Sequence, residues 1–263
     1  MTEATTVWPV RSGRHAQRGA TAAPNVRVSA IIPTYNEAAN LPYLLPHLPR
    51  WLHEVIIVDG RSTDDTVAVA RELLPDVKVV LEPEKGKGIA LRRGFQEATG
   101  DILVMMDADG SMNPAEIGLF VRQLRDGADF VKGSRFMQGA GSSDISRLRW
   151  LGNLGFTVLV KLRFGGRYTD LCYGYAAFWR SVLPELDLDG VGFEIETQMN
   201  IRALRARLNI FEVPSFEFDR QHGESNLRTF PDGWRVLKTI FRESVRPIGR
   251  HKGLGTRMPA RNT

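Results

Sequence analysis

The chain has 263 residues, of which 43% are hydrophobic and 25% are charged. This is enough to build one large α/β domain with a substantial core, or two small ones, and we expect one domain with appendages. The net charge of +5 is concentrated at the ends, because residues 1–25 contribute +2 and residues 249–263 contribute +4, which leaves −1 for the remainder. A chain without a basic interior is not expected to bind nucleic acid.

The two ends of the chain and its single cysteine help to predict where in the cell the protein is located. Residues 1–25 lack periodicity and are predicted to form a disordered arm, and residues 249–263 a disordered basic tail. Cys172 is the only cysteine, which excludes an internal disulfide. No signal-peptide core precedes the chain's first strand, and no apolar run reaches the ~18 residues that span a bilayer. We therefore expect a cytoplasmic protein whose contact with membranes is peripheral.

The first predicted strands bring polar residues to one edge of a sheet. Short apolar runs predict these strands, at 26–32, 55–58 and 77–81. Strands that alternate with helices form a parallel sheet with helices on both faces. The side chains that follow the first two strands are Pro33, Tyr35, Glu37 and Asp59. Ser62 or Thr63 is predicted to cap the next helix, with Asp64 and Asp65 in its first turn.

A fourth predicted strand, 102–106, carries two carboxylates to the same edge. Its five apolar residues are typical of a strand buried on both faces, and Asp107 and Asp109 follow with only the small Ala108 between them. Ligands bind at the carboxyl ends of the strands in an open parallel sheet. Carboxylates two residues apart can hold a hard divalent cation that keeps coordination positions for a phosphate. From the residues alone, a helix cap and turn explains the pair about equally well.

Two cationic segments are predicted to reach this edge. The loop 84–88 contains Lys87 between two glycines and could close over a diphosphate, although a solvated turn explains it almost as well. A helix is predicted to follow it, from 89 to 98. The strand predicted at 129–132 leads to Arg135, which could neutralise phosphate or sugar-linked charge.

Predicted helices and strands also alternate in the second half of the chain. Residues 137–144 are rich in Gly and Ser and are predicted to form a mobile loop. The apolar helical pattern at 145–162 predicts a core helix or one at a membrane interface, and the core is favoured. Further elements are predicted as strands at 171–179 and 209–218 and a helix at 193–206. That helix begins with Glu194 and Glu196, where the helix dipole favours carboxylates.

The final predicted helix, 231–246, is amphipathic. Trp234, Leu237 and Phe241 share one face, and a stripe of basic residues lies about 100° round the helix from them. An aromatic face beside a basic stripe suits an anionic membrane surface. A helix docked on its own domain with a solvated basic side is an equally good interpretation.

Taken together, the motifs resemble a known family. The first set is Ser29-Ala-Ile-Ile-Pro-Thr-Tyr-Asn-Glu37, Val58-Asp-Gly-Arg-Ser-Thr-Asp-Asp-Thr66, Gly86-Lys-Gly88, Met106-Asp-Ala-Asp109 and Gly133-Ser-Arg135. In order and spacing it resembles the family 2 glycosyltransferases of the GT-A fold. The second set is Thr169-Asp-Leu171, Glu212-Val-Pro214, Phe218-Asp-Arg220 and Gly223-Glu-Ser225. It resembles the polyprenol (dolichol) phosphate mannosyl- and glucosyltransferases, and the likeness covers about residues 26–228.

The resemblance implies a fold and an activity. The fold is α/β, a GT-A, Rossmann-like, mostly parallel sheet flanked by helices, with the catalytic domain at 26–228 and a C-terminal amphipathic helix at 229–248. The activity is a metal-dependent, inverting transfer of a hexose, mannose or glucose, from a nucleotide-sugar such as GDP-mannose or UDP-glucose to a polyprenol phosphate. The cofactor is Mg²⁺ or Mn²⁺, held by Asp107 and Asp109. The lipid-phosphate acceptor places the enzyme at the cytosolic face of the membrane.

The same resemblance assigns roles to individual residues. The expected donor-binding residues are Pro33, Tyr35, Glu37, Asp59, Lys87, Asp107, Ala108, Asp109, Arg135 and Arg220. The expected acceptor-binding residues are Arg149, Arg220, His222 and Arg228. The expected catalytic residues are Asp109, Arg135, Glu194 and Glu196. A phosphate acceptor arrives ionised, so it needs cationic positioning more than it needs a base.

The sequence departs from the family pattern at a few positions. Gly60 follows Asp59 where related chains commonly have a second Asp, and Asn226 stands where they have Lys. The donor could therefore differ. Two alternatives stay open, a hydroxyl acceptor with Glu194 or Glu196 as the base, and a nucleotide-sugar-binding protein that has lost transfer activity. The oligomeric state is not predicted.

Overall fold

A computed structural model describes residues 26–224 and 226–247. The predicted arm at 1–25, the predicted tail at 249–263 and Ser225 of the last motif lie outside the described residues. Within them, no helix is both long enough and apolar enough to cross a membrane.

A mixed sheet forms the centre of the fold. Its strands are β1 (Val28–Thr34), β2 (Glu54–Asp59), β3 (Lys78–Leu81), β4 (Ile102–Met105), β5 (Phe130–Ser134), β7 (Ala176–Trp179) and β8 (Ile210–Pro214). Two short strands, β6 (Gly141–Ser142) and β9 (Phe216–Glu217), pair separately. The seven main strands lie in the order β3-β2-β1-β4-β7-β5-β8. Only β7 runs antiparallel to its neighbours, so the predicted mostly parallel α/β sheet is confirmed.

Helices cover both faces of this sheet. They are α1 (Leu41–Leu44), α2 (Thr66–Leu73), α3 (Lys87–Glu97), α4 (Ile117–Arg125), α5 (Arg147–Phe164), α6 (Leu183–Leu186), α7 (Glu194–Arg205) and α8 (Thr229–Val245). Alternate residues of β1 belong to different cores, because Ile32 packs with residues of α1 and α4 while Ile31 packs with residues of α3 and α7. Two-sided cover explains why β4 is apolar at every position.

A third core joins the C-terminal helix to the rest. Val236 and Ile240 of α8 pack with Val160 of α5 and Ile201 of α7. An ion pair lies beside this core, where Arg202 Nη2 is 2.7 Å from Glu243 Oε1 and the Glu243 side chain is fully buried. The helix is therefore docked on its own domain, and the face that docks is not the Trp234 face.

Three predicted elements have different bounds. The strand predicted at 171–179 is only Ala176–Trp179, and that predicted at 209–218 breaks at Ser215 into β8 and β9. The break is stabilised by Glu116, which accepts hydrogen bonds from Ser215 Oγ and from the backbone N–H of Phe216. The segment 137–144 is not entirely a loop, because β6 pairs with β9.

Two local predictions at helix starts are wrong. Neither Ser62 nor Thr63 caps α2, which begins at Thr66, and Ser62 Oγ instead accepts a hydrogen bond from the backbone N–H of Asn36. The helix predicted from residue 89 begins two residues earlier, so Lys87 lies in the first turn of α3 and not in a free loop.

The core position predicted for the helix at 145–162 is also wrong. Only Asn153, Thr157 and Val160 of α5 are buried, whereas most of its apolar side chains are exposed. Asn153 Oδ1 accepts from the backbone N–H groups of Leu171 and Cys172, so this helix positions the segment before β7. The pattern correctly predicted a helix, but it did not indicate which face would be covered.

Candidate active site at the carboxyl edge of the sheet

The residues predicted to bind a donor lie along one edge of the sheet. β1, β2 and β4 are parallel neighbours, so their carboxyl ends are adjacent. β5 points the same way because it is antiparallel to β7, which is itself antiparallel to β4. Three sets of ion-paired side chains lie here, each with one cation between two carboxylates. We call them the Lys87, Arg220 and Arg135 triads.

The Lys87 triad joins the end of β4 to the start of α7. Lys87 Nζ lies 2.5 Å from Asp107 Oδ1 and 2.7 Å from Glu196 Oε1. Burial would lower the pKa of Lys87, but the two carboxylates raise it above its ordinary value. Burial raises the pKa of Glu196. A Cβ on Gly174 would lie 2.6 Å from Glu196 Oε1, so the carboxylate can approach the backbone there only because the residue is glycine.

The Arg220 triad joins the end of β1 to the turn after β4. Arg220 Nη1 lies 3.2 Å from Glu37 Oε1, and Nη2 lies 3.0 Å from Asp109 Oδ2. Asp109 also accepts hydrogen bonds from the backbone N–H and the hydroxyl of Ser111. Burial raises the pKa of Glu37, although Asn40 and Arg220 act in the opposite direction. The second predicted metal ligand is thus held by a different cation from the first.

The Arg135 triad lies at the end of β5 and is the most buried of the three. Arg135 Nε is 2.7 Å from Asp170 Oδ2, and Nη1 is 3.1 Å from Glu217 Oε2. The guanidinium also stacks 4.8 Å from the centre of the Tyr173 ring. Burial would raise the pKa of Asp170, but Arg135 beside it lowers the pKa below its usual range. The predicted contact of Arg135 with phosphates requires one of these ion pairs to open.

A pocket of about 220 Å³ lies beside the Arg220 triad. The residues lining it include Tyr35, Asn36, Glu37, Asn40, Asp64, Arg220 and His222. Lys85 Nζ lies 4.9 Å from the centre of the ring of Tyr35, which is one of these lining residues. The pocket has the mixed polar and aromatic walls that suit a nucleoside.

Three predicted donor residues lie beneath this edge. Asp59 is buried, and its carboxylate accepts hydrogen bonds from Thr34 Oγ1 and from the backbone N–H of Ser62. Ala108 is buried between the two aspartates. Pro33 lies within β1, opposite Val58 of β2. In this structure Asp59 therefore shapes the turn after β2, and its contact with a nucleoside stays a prediction.

The acceptor residues predicted from the resemblance fall into two places. Arg149 Nη2 donates to the carbonyl of Leu227, next to Arg228, so these residues lie together where α5 and α8 begin. His222 lies in the pocket, where its backbone N–H donates to Asn40 Oδ1 and its ring is 5.4 Å from that of Tyr43. No hydrogen bond or ion pair within the described residues joins His222 to Arg149 or Arg228.

The two glutamates proposed as alternative bases have different surroundings. Glu194 Oε1 accepts hydrogen bonds from the backbone N–H groups of Val191 and Gly192, each at 2.9 Å, and its other oxygen is buried. Glu194 therefore binds the backbone of the loop that leads into α7. Glu196 is paired with Lys87 and so belongs to the edge. Of the two, only Glu196 contacts a residue predicted to bind the donor.

Whether this site fits a metal ion depends on the atoms that could act as its ligands. No cluster of three or more His, Cys, Asp and Glu side chains that could hold a metal occurs in the part of the chain that the structure describes. Asp107 and Asp109 supply hard oxygen ligands at the edge, and both are partly exposed. Such a pair suits Mg²⁺ or Mn²⁺ when phosphate oxygens and water fill the remaining positions. The residues therefore fit an ion shared with a diphosphate.

Sequence reasoning missed four acidic and amide partners in this site. Asp170 lies in a motif that carried the family resemblance, but it was not assigned a role, and Glu217 and Asn40 gave no signal at all. Asp64 was expected in the first turn of α2, whereas it precedes the helix and lines the pocket. Acids that pair with cations across the fold have no local signature in the sequence.

Comparison with known proteins supports a family assignment. The sequence profile described as "Glycosyl transferase family 2" matches residues 29–187. Dolichol-phosphate mannosyltransferase of Pyrococcus furiosus is 34% identical over 237 residues, which are 86% of this chain and 63% of the relative. The chain thus spans less than two thirds of that protein. Polyprenol monophosphomannose synthase of Mycolicibacterium smegmatis is 33% identical, over 85% of this chain and 88% of the relative.

Solved structures agree on the fold. Glucosyl-3-phosphoglycerate synthase of Mycobacterium tuberculosis, in complex with phosphoglyceric acid, superposes with a TM-score of 0.69 at 24% identity and covers 84% of this chain and 81% of its own. The same enzyme with Mn²⁺, UDP and glucosyl-3-phosphoglycerate gives 0.69 at 23% identity, with the same two coverages. The sheet, the motifs at its carboxyl edge and the profile match lead to one conclusion: this chain belongs to glycosyl transferase family 2 and has the GT-A fold.

Proposed function

We propose that this protein transfers a hexose, mannose or glucose, from a nucleotide-diphosphate sugar to a polyprenol phosphate, with inversion and with Mg²⁺ or Mn²⁺. Three observations support the proposal: the family, the names of its relatives, which include an undecaprenyl-phosphate mannosyltransferase of Micrococcus luteus that is 33% identical over 77% of this chain, and the chemistry of the edge. The observation that carries it is the pair Asp107 and Asp109 at the carboxyl edge of the sheet, each held by its own cation.

The Lys87 and Arg220 triads suit a site that exchanges partners. Each cation forms ion pairs with two carboxylates, so each triad carries a net negative charge before a donor binds. Asp107 and Asp109 would hold the ion, and Lys87 and Arg220 would then be free to contact the phosphates of the donor. The ion would neutralise charge on the departing diphosphate. Lys87 and Arg220 would hold the diphosphate in position.

A phosphate acceptor agrees with the surroundings of the two glutamates. Glu194 accepts hydrogen bonds from the loop before α7 and Glu196 is paired with Lys87, so each carboxylate already has a partner within the chain. An ionised phosphate needs no base, and cations at the start of α5 and α8 could position it. Arg149 and Arg228 lie there.

Peripheral contact with an anionic membrane at its cytosolic face is part of the same proposal, because a polyprenol phosphate is a membrane lipid. Trp234 and Phe241 of α8 are more than half exposed, and Arg235 and Arg242 lie beside them. Aromatic and basic residues on one exposed helix are favoured at a lipid surface.

A donor and acceptor panel tests the proposal. Thermal shifts with GDP-mannose, UDP-glucose and UDP-N-acetylglucosamine, each with Mn²⁺ and with EDTA, identify the donor, and the selected donor is then assayed with a short-chain polyprenyl phosphate and with the corresponding alcohol. We expect a metal-dependent shift with one donor and transfer to the phosphate alone. Transfer to the alcohol would favour the hydroxyl alternative. A donor shift without transfer to any acceptor would favour a binding protein.

A further inference from the structure

α5 and α8 lie side by side as a parallel pair. At their N-terminal ends Arg149 donates to the carbonyl of Leu227, which lies just before α8, and at their C-terminal ends Arg163 donates to the carbonyl of Ser244 at 3.0 Å. The helices have 18 and 17 residues, which makes the pair about 25 Å long. One side of the pair packs on the domain, and the other faces solvent.

Exposed apolar side chains occur along the whole length of this pair, with exposed basic side chains among them. Its exposed apolar residues are Leu148, Leu151, Leu154, Val158 and Leu162 on α5, and Phe230, Trp234, Phe241 and Val245 on α8. Leu162 is 80% exposed and Val245 is 82% exposed. Single exposed apolar residues are ordinary, but nine of them along two adjacent helices, which we call the apolar stripe, indicate an interaction surface.

A cleft of about 450 Å³ lies between the C-terminal ends of the two helices. Leu159, Ile240, Phe241 and Val245 give it an apolar lining, and Arg163 and Arg242 are the charged residues that line it. The volume is that of a small-ligand site. A cleft of this kind fits a molecule that has a hydrocarbon chain and an anionic head.

The charges of the pair narrow the choice of partner. α5 carries four cations and no acid, and α8 carries three cations and two acids, Asp232 and Glu243, which are buried. Two acids outside the helices pair with them, Asp144 with Arg149 and Asp189 with Arg242, and the seven cations still outnumber these four acids. A symmetric contact with a second copy would bring two such cationic faces together, which like-charge repulsion opposes. Residues 249–263 of this chain are themselves basic and would be repelled in the same way. An anionic lipid is the occupant whose charge complements the surface.

We propose that this cleft binds an anionic phospholipid, with its phosphate on Arg163 and Arg242 and an acyl chain along Ile240, Phe241 and Val245. The apolar stripe of α5 and α8 then lies in the lipid surface around that molecule. This inference deepens the proposed membrane contact, and it does not depend on which sugar or acceptor the enzyme uses.

The first test measures the cleft itself. Calorimetry with the full-length protein and a short-chain phosphatidylglycerol, kept below its micelle concentration, should give one site, and Val245→Asp should abolish the heat of binding. Val245 is exposed, so this variant is expected to fold normally, which its thermal unfolding checks. Inorganic phosphate should not bind, because it lacks the chain. Binding of phosphate as tight as that of the lipid, or lipid binding unchanged in Val245→Asp, would overturn the proposal.

The second test measures docking on vesicles of phosphatidylcholine with and without phosphatidylglycerol. The double variant Arg163→Gln, Arg242→Gln should bind the anionic vesicles roughly 30-fold more weakly, since each basic residue contributes on the order of 1 kcal/mol at such a surface. The matched control is Arg71→Gln, Arg125→Gln, which removes the same charge from α2 and α4 and should bind like wild type.

Three results would contradict the lipid site. The first is a control variant that loses as much affinity for anionic vesicles as the double variant does. The second is wild-type protein that binds neutral vesicles as tightly as anionic ones, and the third is a stable dimer of the lipid-free protein that Val245→Asp dissociates. Transfer to a short-chain acceptor without vesicles should be unchanged in the double variant. Failure of the lipid site and failure of the proposed transferase activity are therefore distinguishable.

Discussion

The carboxyl edge of the sheet and the α5–α8 surface differ in how their cations are paired and in how exposed those cations are. At the edge, Lys87, Arg220 and Arg135 each lie between two carboxylates and are largely buried. On the α5–α8 surface the cations are mostly exposed, and α5 has no acid of its own. Both regions hold several cations, but each cation of the edge lies between two carboxylates, whereas the ion pairs on the α5–α8 surface are more exposed, as between Arg242 and Asp189.

This difference indicates two kinds of partner. A cation that is already paired can bind a small anion only by exchanging one partner for another, which suits a site that must close around a donor and then release it. Exposed cations beside apolar residues are held only by weak surface ion pairs, such as that of Arg242 with Asp189, and can bind a large anionic surface directly. The first region is therefore expected to depend on individual residues, and the second on summed charge and apolar area.

The largest effect is expected at the edge. Asp109→Ala should lower kcat/KM for transfer by about 10³-fold, because it removes one of two ligands from the metal that neutralises the leaving diphosphate. Arg220 keeps Glu37 as a partner, so stability should change little. The control Asp126→Ala removes an exposed carboxylate at the end of α4 and should be neutral.

Steady-state kinetics at saturating Mn²⁺, together with thermal unfolding, separates loss of function from loss of fold. Two results would contradict the metal site: transfer by the wild-type protein that persists in EDTA, and near-normal transfer by Asp109→Ala. Either would show that transfer does not depend on a metal held by Asp107 and Asp109.

The next effect concerns stability and its dependence on pH. Asp170→Asn should cost about 3 kcal/mol at pH 7, because it leaves the buried Arg135 with only one carboxylate. The folded pKa of Asp170 is lowered, so its contribution is present above the usual Asp pKa of about 3.9 and is lost as the pH falls through the folded pKa. The difference between wild type and variant should therefore shrink at pH 3.

Urea unfolding at both pH values measures this difference. The same change in a half-exposed pair, Asp101→Asn opposite Arg27, should cost less than about 1 kcal/mol. A cost for Asp170→Asn that is small at pH 7, or that is equal at the two pH values, would show that the buried triad does not hold the end of β5 in place.

The order of the elements explains what could be predicted from the sequence. Apolar runs that end in polar residues located the edge correctly, since parallel strands necessarily bring Asp59 and Asp107 to the same side. The motifs gave the family before any coordinates. Lys87 was predicted for this edge, although the helix that carries it began earlier than expected. These are consequences of local pattern and of one general rule of sheet topology.

The features that were missed depend on distant parts of the chain. Lys87 and Glu196 are 109 residues apart, and Arg220 and Glu37 are 183 residues apart, so no local pattern reports their contact. The apolar periodicity of α5 defined a face but not what covers it, and it was assigned to the core because apolar faces usually are. The sequence of β7 likewise does not indicate that this strand runs antiparallel to β4 and β5.

The smallest effects, on the proposed chemistry, come from the two glutamates at the start of α7. Glu194→Gln keeps the oxygen that accepts from the backbone, and Glu196→Gln leaves Lys87 paired with Asp107. With a phosphate acceptor we expect both variants to transfer within about threefold of wild type, because no proton has to be removed. A base that acts on a hydroxyl would instead cost on the order of 10²-fold or more in the affected variant. Acceptor-saturated rates of the two variants decide between these outcomes. A loss confined to Glu196→Gln would identify the Lys87 triad as the place where the acceptor is deprotonated, and the edge would then do more than bind phosphate.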